Sequence, residues 1–365
     1  MDRLEMDRRA FIGQLAAWAM VTGMPIPATS DGMVVSARAR GLVFGCGLNG
    51  PGLLDAALLA AHVQESGMCV PIGQGAWAQT HPAPTTWDFA VLDRMWAWAQ
   101  SVGLPMRGTH LVWHSNMPAW FAANVTSANA TQYMRDHIFA LMGRYKGQFH
   151  SWNPVNEAVL PADGRPDGLR HTPWMQLLGP RYIAQAFTFA AQADPSATLV
   201  YNEFGLEEDS TAAARKRQCT LQLLRNLKQQ GVPIHALGMQ SHIAADSVIN
   251  AATLTAFMDA VAALGLKIFI TELDVKDQTL PSDVTIRDAG VAQQYRSFLT
   301  TVLAHPAVNT VILWGLSDRS TWLSGQAPRN DRLPVRVLPL DDQFQRKPAW
   351  TAIVNAFRRP TSRRA

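Results

Sequence analysis

The stretch that decides the fold is residues 149–157, FHSWNPVNE, a strand-like run that finishes in an amide, Asn156, and a carboxylate, Glu157. Other runs along the chain finish in equally reactive side chains, at Trp113-His114, Asn202-Glu203, Gln240-Ser241-His242, Thr271-Glu272 and Trp314. In a closed parallel barrel such strand ends meet at one rim, whereas in an open sheet they spread along an edge. Carboxylates, amides, imidazoles and indoles on one rim predict a polar cleft with aromatic walls, which favours a sugar site over a phosphate site.

Short apolar runs alternate with helical spacing from Gly41 onward, and no proline- or serine-rich linker interrupts them. This alternation predicts one α/β domain. The predicted strands are 42–45, 68–70, 105–113, 149–155, 198–202, 236–241, 267–271 and 310–315. The predicted helices include 53–65, 88–101, 131–145, 180–193, 212–230, 253–264 and 289–304. A doubly wound sheet shares the alternation, but the strand ends favour a single-domain (β/α)₈ TIM barrel.

Two glutamates stand at predicted strand ends, Glu157 after the fourth strand and Glu272 after the seventh. Hydrolysis of a glycosidic bond needs an acid for the leaving oxygen and a carboxylate that stabilises or attacks the sugar carbon. Carboxyl groups ~5–5.5 Å apart give retention of configuration, whereas ~6.5–9.5 Å leaves room for water and gives inversion. The spacing along the chain does not decide between these outcomes.

Four motifs, at 108–115 (GTHLVWHS), 152–158 (WNPVNEA), 240–242 (QSH) and 270–274 (ITELD), carry a resemblance to a known family. In this order they resemble the signatures of glycoside hydrolase family 10, mainly retaining endo-1,4-β-xylanases on (β/α)₈ barrels. Residues 313–318 (LWGLSD) and 346–349 (RKPA) continue the resemblance, which spans roughly residues 42–357. The fold and activity expected from it are those of this family.

The resemblance implies a role for each matching residue. Glu157 corresponds to the acid/base and Glu272 to the nucleophile of a double displacement on xylan or xylo-oligosaccharides. Asn156 would bind the 2-hydroxyl of the reacting sugar, and His242 would hold Glu272 and help keep it ionised. The remaining implied substrate contacts are His114, Gln240, Trp314 and Trp322, of which the two tryptophans would form apolar walls.

The glycone side departs from the family pattern. Members usually carry Glu-Asn, two further residues and Lys-Trp after the second strand, but residues 72–77 read IGQGAW, so that Ile72, Gly73 and Ala76 replace the acid, amide and lysine. The usual Gly-His-Thr order also becomes Gly-Thr109-His110. Because a one-residue move in a strand reverses side-chain direction, Thr109 should replace a sugar-contacting histidine and His110 should face away from the cleft. The altered pocket suggests a decorated xylan, an exopolysaccharide or a small β-glycoside as alternatives to plain xylan.

The two ends of the chain have their own expected roles. Residues 7–13, DRRAFIG, precede a weakly apolar stretch and resemble a twin-arginine export signal, although a short amphipathic leader helix is the alternative. We therefore expect residues 1–40 to be an export signal and leader cleaved between Ala28 and Ala39, residues 41–357 to be the catalytic barrel, and residues 358–365 to be a disordered basic tail. The enzyme would be periplasmic or secreted.

Composition excludes several classes of partner. The formal net charge is +4, of which residues 358–365 supply +4 and residues 1–40 supply +1, leaving −1 for the body. The body thus lacks the basic face that nucleic acid requires. No apolar run is long enough to cross a bilayer, and Cys46, Cys69 and Cys219 share no metal-site or disulfide spacing. We expect a monomer that binds a polysaccharide or oligosaccharide and needs no cofactor and no active-site metal.

Three other functions have partial support in the sequence. Residues 45–50, GCGLNG, match a dinucleotide-binding turn, but the next strand lacks the acid that binds a ribose hydroxyl. His110 and His114 could suggest a metal hydrolase, yet no HExxH helix or third ligand accompanies them. A carbohydrate-binding pseudoenzyme is the third, since the glycone contacts are altered, although it would not need Glu157 and Glu272 in those places.

Overall fold

The computed structural model describes residues 32–359. The twin-arginine motif and most of the basic tail lie outside the described residues.

The apolar runs form parallel strands that close into a barrel. The sheet order is β6-β5-β4-β3-β2-β1-β9-β8, and pairing of β6 with β8 closes the circle, while β7 is a short extension paired with β8. The strands are β1 (Val43–Leu48), β2 (Cys69–Pro71), β3 (Met106–Gly108), β4 (Phe149–Asn156), β5 (Thr198–Glu203), β6 (Ala236–Met239), β7 (His242–Ala244), β8 (Lys267–Lys276) and β9 (Val308–Leu313). The predicted single-domain (β/α)₈ barrel is therefore confirmed.

Helices connect the strands on the outside. Within residues 32–359 they are α1 (Met33–Ala39), α2 (Ala56–Glu65), α3 (Trp77–Thr80), α4 (Ala90–Ser101), α5 (Phe121–Asn124), α6 (Ala130–Arg144), α7 (Pro173–Leu178), α8 (Arg181–Ala193), α9 (Thr211–Gln229), α10 (Ala251–Ala262), α11 (Val284–Val302), α12 (Leu323–Gln326) and α13 (Pro348–Arg358). All seven predicted helices are present. The largest difference is at α11, which begins five residues earlier than predicted because Asp283 caps it by accepting the N–H of Ile286.

The expected domain boundary at residue 41 is too late. Helix α1 lies inside the expected leader, yet Met33 and Ala37 are fully buried and α1 packs against α13. The backbone N–H of Met33 also donates to Glu65 at 2.9 Å. Residues 33–40 therefore belong to the barrel domain, because their apolar face completes its core.

Successive residues of each strand face alternately the surrounding helices and the barrel interior. Phe44 of β1 points outward, where its ring meets Phe357 of α13 with centroids 5.2 Å apart. Met68, Val70 and Ile312 instead form a separate apolar cluster with Trp314. This two-residue alternation fills the barrel and leaves its carboxyl-end rim to polar side chains.

Candidate active site

The carboxyl ends of β4, β5 and β8 bring both predicted carboxylates into one hydrogen-bond network. Asn202 of β5 donates through Nδ2 to Asn156 Oδ1 at 2.9 Å and to Glu272 Oε1 at 2.7 Å. Gln240 Nε2 donates to Glu157 Oε1 at 3.0 Å. The same Gln240 nitrogen lies 3.4 Å from Asn156 Oδ1, so amides link Glu157 to Glu272.

Two consecutive residues of β8, Thr271 and Glu272, contact the same side chain, Asn202. The pairing of β8 with β9 is irregular between Ile270 and Leu273. Thr271 Oγ1 donates to Asn202 Oδ1 at 2.6 Å, and the next residue, Glu272, accepts from Nδ2 of the same amide. The Asn202 amide is therefore held between Thr271 and Glu272, at the irregular part of the β8–β9 pairing.

Glu272 is held in its ionised form. His242 lies between two acids, with Nε2 3.2 Å from Glu272 Oε2 and Nδ1 3.0 Å from Asp274 Oδ1. Burial lowers the pKa of His242, but Asp274 and Glu272 together raise it to about 10. Burial raises the pKa of Glu272, yet the hydrogen bonds and charges around it, led by that from His242, bring it below its ordinary value. At neutral pH the pair is therefore imidazolium and carboxylate.

Glu157 is less enclosed than Glu272, and its backbone is strained. Its φ is 56°, in the left-handed region, and such a conformation costs about 1–3 kcal/mol in a non-glycine residue. Its backbone is pinned, because its N–H donates to the Asn202 carbonyl at 2.9 Å and its carbonyl accepts from Arg170 Nε at 2.9 Å. Its side chain is 13% exposed against 6% for Glu272. The two carboxylates thus sit in different environments.

The amide of Asn156 leaves one donor unused. Its Oδ1 accepts from Asn202, which fixes the orientation of the amide, and its Nδ2 is buried without a hydrogen-bond partner in residues 32–359. An unpaired buried donor is costly unless a ligand satisfies it. Asn156 Nδ2 is therefore available to a bound molecule.

The other predicted contacts lie around the same rim. His114 Nε2 is 3.9 Å from Glu157 Oε2, so His114 and Gln240 both neighbour Glu157. Trp322 is half-buried, donates to Asp274 at 2.7 Å and has its ring 4.9 Å from that of His242. Trp314 is only 6% exposed and packs in the barrel cluster, so it serves the core as well as the rim.

On the glycone side the altered residues offer few polar groups. Ile72 packs against the Trp314 cluster, and Gly73 has a φ of 88° that favours glycine. Ala76 is buried, and Thr109 donates to the Pro71 carbonyl at 3.0 Å. The hydroxyl proton of Thr109 is therefore used within the protein.

The expectation that His110 faces away from the cleft is wrong. His110 Nε2 lies 3.8 Å from Glu272 Oε1, and its ring is 5.0 Å from that of Trp113. The prediction assumed an extended strand, but β3 ends at Gly108 and His110 has a φ of 50°. Because the left-handed turn breaks the two-residue alternation, the side chain of His110 reaches the nucleophile side of the cleft.

Sequence reasoning missed a buried ion pair beneath the rim. Glu203 is fully buried, accepts from the Tyr201 hydroxyl at 2.6 Å and pairs with Lys216 Nζ at 2.8 Å. Lys216 also lies over the Phe204 ring, 3.2 Å from its centroid. Glu203 ends a predicted strand, but its partner Lys216 lies on α9 and carries no local signal.

Within residues 32–359 no group of three or more His, Cys, Asp or Glu side chains is arranged to hold a metal ion. None of the helices in that range is long and apolar enough to span a bilayer.

A (β/α)₈ barrel with two carboxylates tied by amides at the strand ends defines the class of barrel glycoside hydrolases. The family model for Glycosyl hydrolase family 10 matches residues 33–356. This chain belongs to that family.

Relatives and solved structures support this assignment. The chain is 30% identical over 303 residues to an endo-1,4-beta-xylanase A from Fusarium oxysporum f. sp. lycopersici, covering 81% of this chain and 88% of the relative. It is 31% identical over 289 residues to the endo-1,4-beta-xylanase A of Caldicellulosiruptor sp., covering 73% of this chain but only 39% of that longer protein. The structure resembles xylanase 10B from Thermotoga petrophila RKU-1, solved in complex with xylobiose, with a TM-score of 0.81, 25% identity and coverage of 89% and 97%.

Proposed function

We propose that the chain hydrolyses internal β-1,4 bonds of xylan or xylo-oligosaccharides with retention of configuration. The observation that carries this proposal is the pair of glutamates in one amide network, of which Glu272 is ionised and enclosed while Glu157 is more exposed. Two carboxylates in different environments suit two different roles.

In the first step Glu157 gives its proton to the glycosidic oxygen as the bond from that oxygen to C1 breaks. Glu272 attacks C1 and forms a glycosyl ester, so the leaving alcohol departs neutral. In the second step the ionised Glu157 takes a proton from water, whose oxygen attacks C1, and Glu272 leaves as a carboxylate. Asn156 Nδ2, which is buried and unpaired in the described residues, would donate to the 2-hydroxyl of the reacting sugar.

The two glutamates are distinguished by substrates with good and poor leaving groups. Glu157→Ala should lose activity on xylan yet keep much of its glycosylation rate on a dinitrophenyl β-xylobioside, because that leaving group needs no proton. Glu272→Ala should lose activity on both. The anomeric configuration of the first-formed product, read by NMR, tests retention: an α-product from the β-substrate would contradict a covalent glycosyl-enzyme.

A second candidate is a related enzyme with a different glycan substrate, favoured by the position of Ile72. A Cβ placed on Gly47 would lie 2.5 Å from Ile72 Cδ1, so Ile72 fills the space at the mouth beside Trp314. An apolar side chain there removes hydrogen bonds worth about 0.5–1.5 kcal/mol each to a sugar hydroxyl.

A panel of xylan, decorated xylan, mixed-linkage glucan, a microbial exopolysaccharide and aryl β-xylosides and β-glucosides separates these functions by their products. Cleavage of one of the alternatives faster than xylan would favour the second candidate. Binding without cleavage of any of them would favour a carbohydrate-binding pseudoenzyme.

A further inference from the structure

A cavity of about 340 Å³ lies outside the candidate active site, between α9 and the loop that follows β4. None of the residues assigned to the cleft lines this cavity. The loop starts at the strand end that carries Glu157, so this wall of the cavity belongs to the same end of the barrel as the cleft. The loop contributes residues 165–168, and α9 contributes Arg215, Gln218, Cys219, Gln222 and Arg225.

The lining residues of α9 form one face of the helix. Steps of three and four residues link them along the chain, and such steps place side chains one above another. Arg215 and Arg225 stand at the two ends of this row, about 15 Å apart along the axis at a rise of about 1.5 Å per residue. Both are exposed, and neither guanidinium has a hydrogen bond or ion pair with another group in residues 32–359. Both are therefore available to an external anion.

The opposite wall of the cavity is a loop held in one conformation. Arg165 binds Asp167 through two parallel hydrogen bonds, of 3.0 Å from Nε and 2.7 Å from Nη2. The Gly168 N–H donates to the Arg165 carbonyl at 3.0 Å. Gly168 has a φ of 69°, and a Cβ placed there would lie 2.4 Å from Cys219 Sγ. Only glycine lets the loop pack this closely against α9, so the wall is formed before any ligand binds.

The charge and size of the cavity indicate the class of its ligand. Three arginines face one acid, Asp167, which Arg165 already pairs, so the excess positive charge belongs to Arg215 and Arg225. Guanidinium groups bind carboxylates through two parallel hydrogen bonds, and the amides of Gln218 and Gln222 suit sugar hydroxyls. The volume is at the lower end of the range for small-molecule sites, roughly 300–1,000 Å³, which fits a short acidic segment of a glycan.

We propose that this cavity is a second glycan-binding site, separate from the cleft, and that Arg215 and Arg225 bind uronic acid carboxylates there. The role of the glycan as substrate rests on the proposed function, whereas its binding does not. A chain held at this site would raise the effective concentration of its own glycosidic bonds near Glu157 and Glu272. Among the alternative substrates, the site favours those that carry carboxylates.

The first test uses Cys219 as a reporter of occupancy and does not depend on activity. Cys219 lines the cavity and is half-buried, whereas Cys46 and Cys69 are buried, so iodoacetamide should modify the folded chain at Cys219. In the full-length Glu272→Gln variant, glucuronic-acid-substituted xylo-oligosaccharides should slow this modification several-fold. The same oligosaccharides with their carboxyl groups reduced to alcohols should not slow it. Equal rates with and without the acidic ligand would overturn the proposal.

The second test asks whether the two arginines supply the affinity. In the Glu272→Gln background, Arg215→Gln with Arg225→Gln should weaken binding to glucuronoxylan in affinity electrophoresis roughly five- to ten-fold, as expected for two partly exposed charge pairs. The matched control is Arg94→Gln with Arg296→Gln, which removes two exposed arginines from α4 and α11 and changes the net charge equally. Equal affinities of the two double variants would overturn the assignment of Arg215 and Arg225.

Further outcomes separate the ligand classes and the two proposals. Inorganic phosphate that protects Cys219 as well as the acidic oligosaccharide at matched ionic strength would reduce the cavity to a general anion site and overturn the glycan assignment. A wild type that hydrolyses xylan while the acidic ligand leaves Cys219 unprotected would overturn the second site alone. Protection of Cys219 in a wild type that cleaves no glycan would support the second site and count against the proposed function alone.

Discussion

Replacing His242 with glutamine should make Glu272 harder to ionise. In the wild type, Nε2 of a protonated His242 lies 3.2 Å from Glu272 Oε2, and Nδ1 is held by Asp274 at 3.0 Å. Glutamine can still donate one hydrogen bond but carries no charge. A hydrogen bond to a charged partner contributes about 1.5–3 kcal/mol and a neutral one about 0.5–1.5 kcal/mol.

The difference between the two, about 1–2 kcal/mol, corresponds to roughly one pKa unit at Glu272. The pH dependence of kcat/KM on an aryl β-xylobioside reports the ionisation of the free enzyme. The pKa of Glu272 lies below its ordinary value in the wild type, so kcat/KM should fall only at low pH on the acidic side of its profile. In His242→Gln this acidic limb should move to higher pH by about one unit. An unchanged acidic limb with a lower plateau would refute the electrostatic role and leave only a geometric one.

The His242–Glu272 pair also predicts that the folded protein loses stability at high pH. The folded-state pKa of His242 is raised to about 10 from an ordinary value of 6.5. Its contribution is therefore complete below about pH 6.5 and is lost as the pH rises through 10. Urea unfolding at pH 6 and pH 10 should show a larger loss of stability in the wild type than in His242→Gln, in which the titrating group is absent.

Three further predictions follow from the buried groups. Lys216→Met should destabilise the fold by about 3–5 kcal/mol, because it leaves the fully buried Glu203 unpaired, and adding Glu203→Gln should recover part of that loss in urea unfolding. Asn156→Ala should lower kcat on xylo-oligosaccharides more than it raises KM, because hydrogen bonds to the 2-hydroxyl of the reacting sugar strengthen in the transition state. We also propose that the chain is exported, and intact-mass measurement of the exported form should place the mature N-terminus before Met33, because cleavage within α1 would remove a buried part of the core.

Local patterns in the sequence were sufficient for the architecture. Apolar runs that alternate with helical spacing predicted eight strands and the helices between them, and all eight form the barrel. The strand ends predicted which face would be polar, because parallel strands deliver their carboxyl ends to one rim. The boundary at residue 41 failed, since burial of α1 against α13 is a long-range contact without a local signal.

Within the site, the sequence by itself determined that Glu157 and Glu272 lie at strand ends. The family resemblance implied that His242 contacts Glu272. Only the tertiary structure decided which groups touch them. Asn202 contacts both Asn156 and Glu272, and His110 turns toward Glu272 because its φ is positive. These contacts depend on backbone turns and on partners from other strands, which a local pattern does not encode.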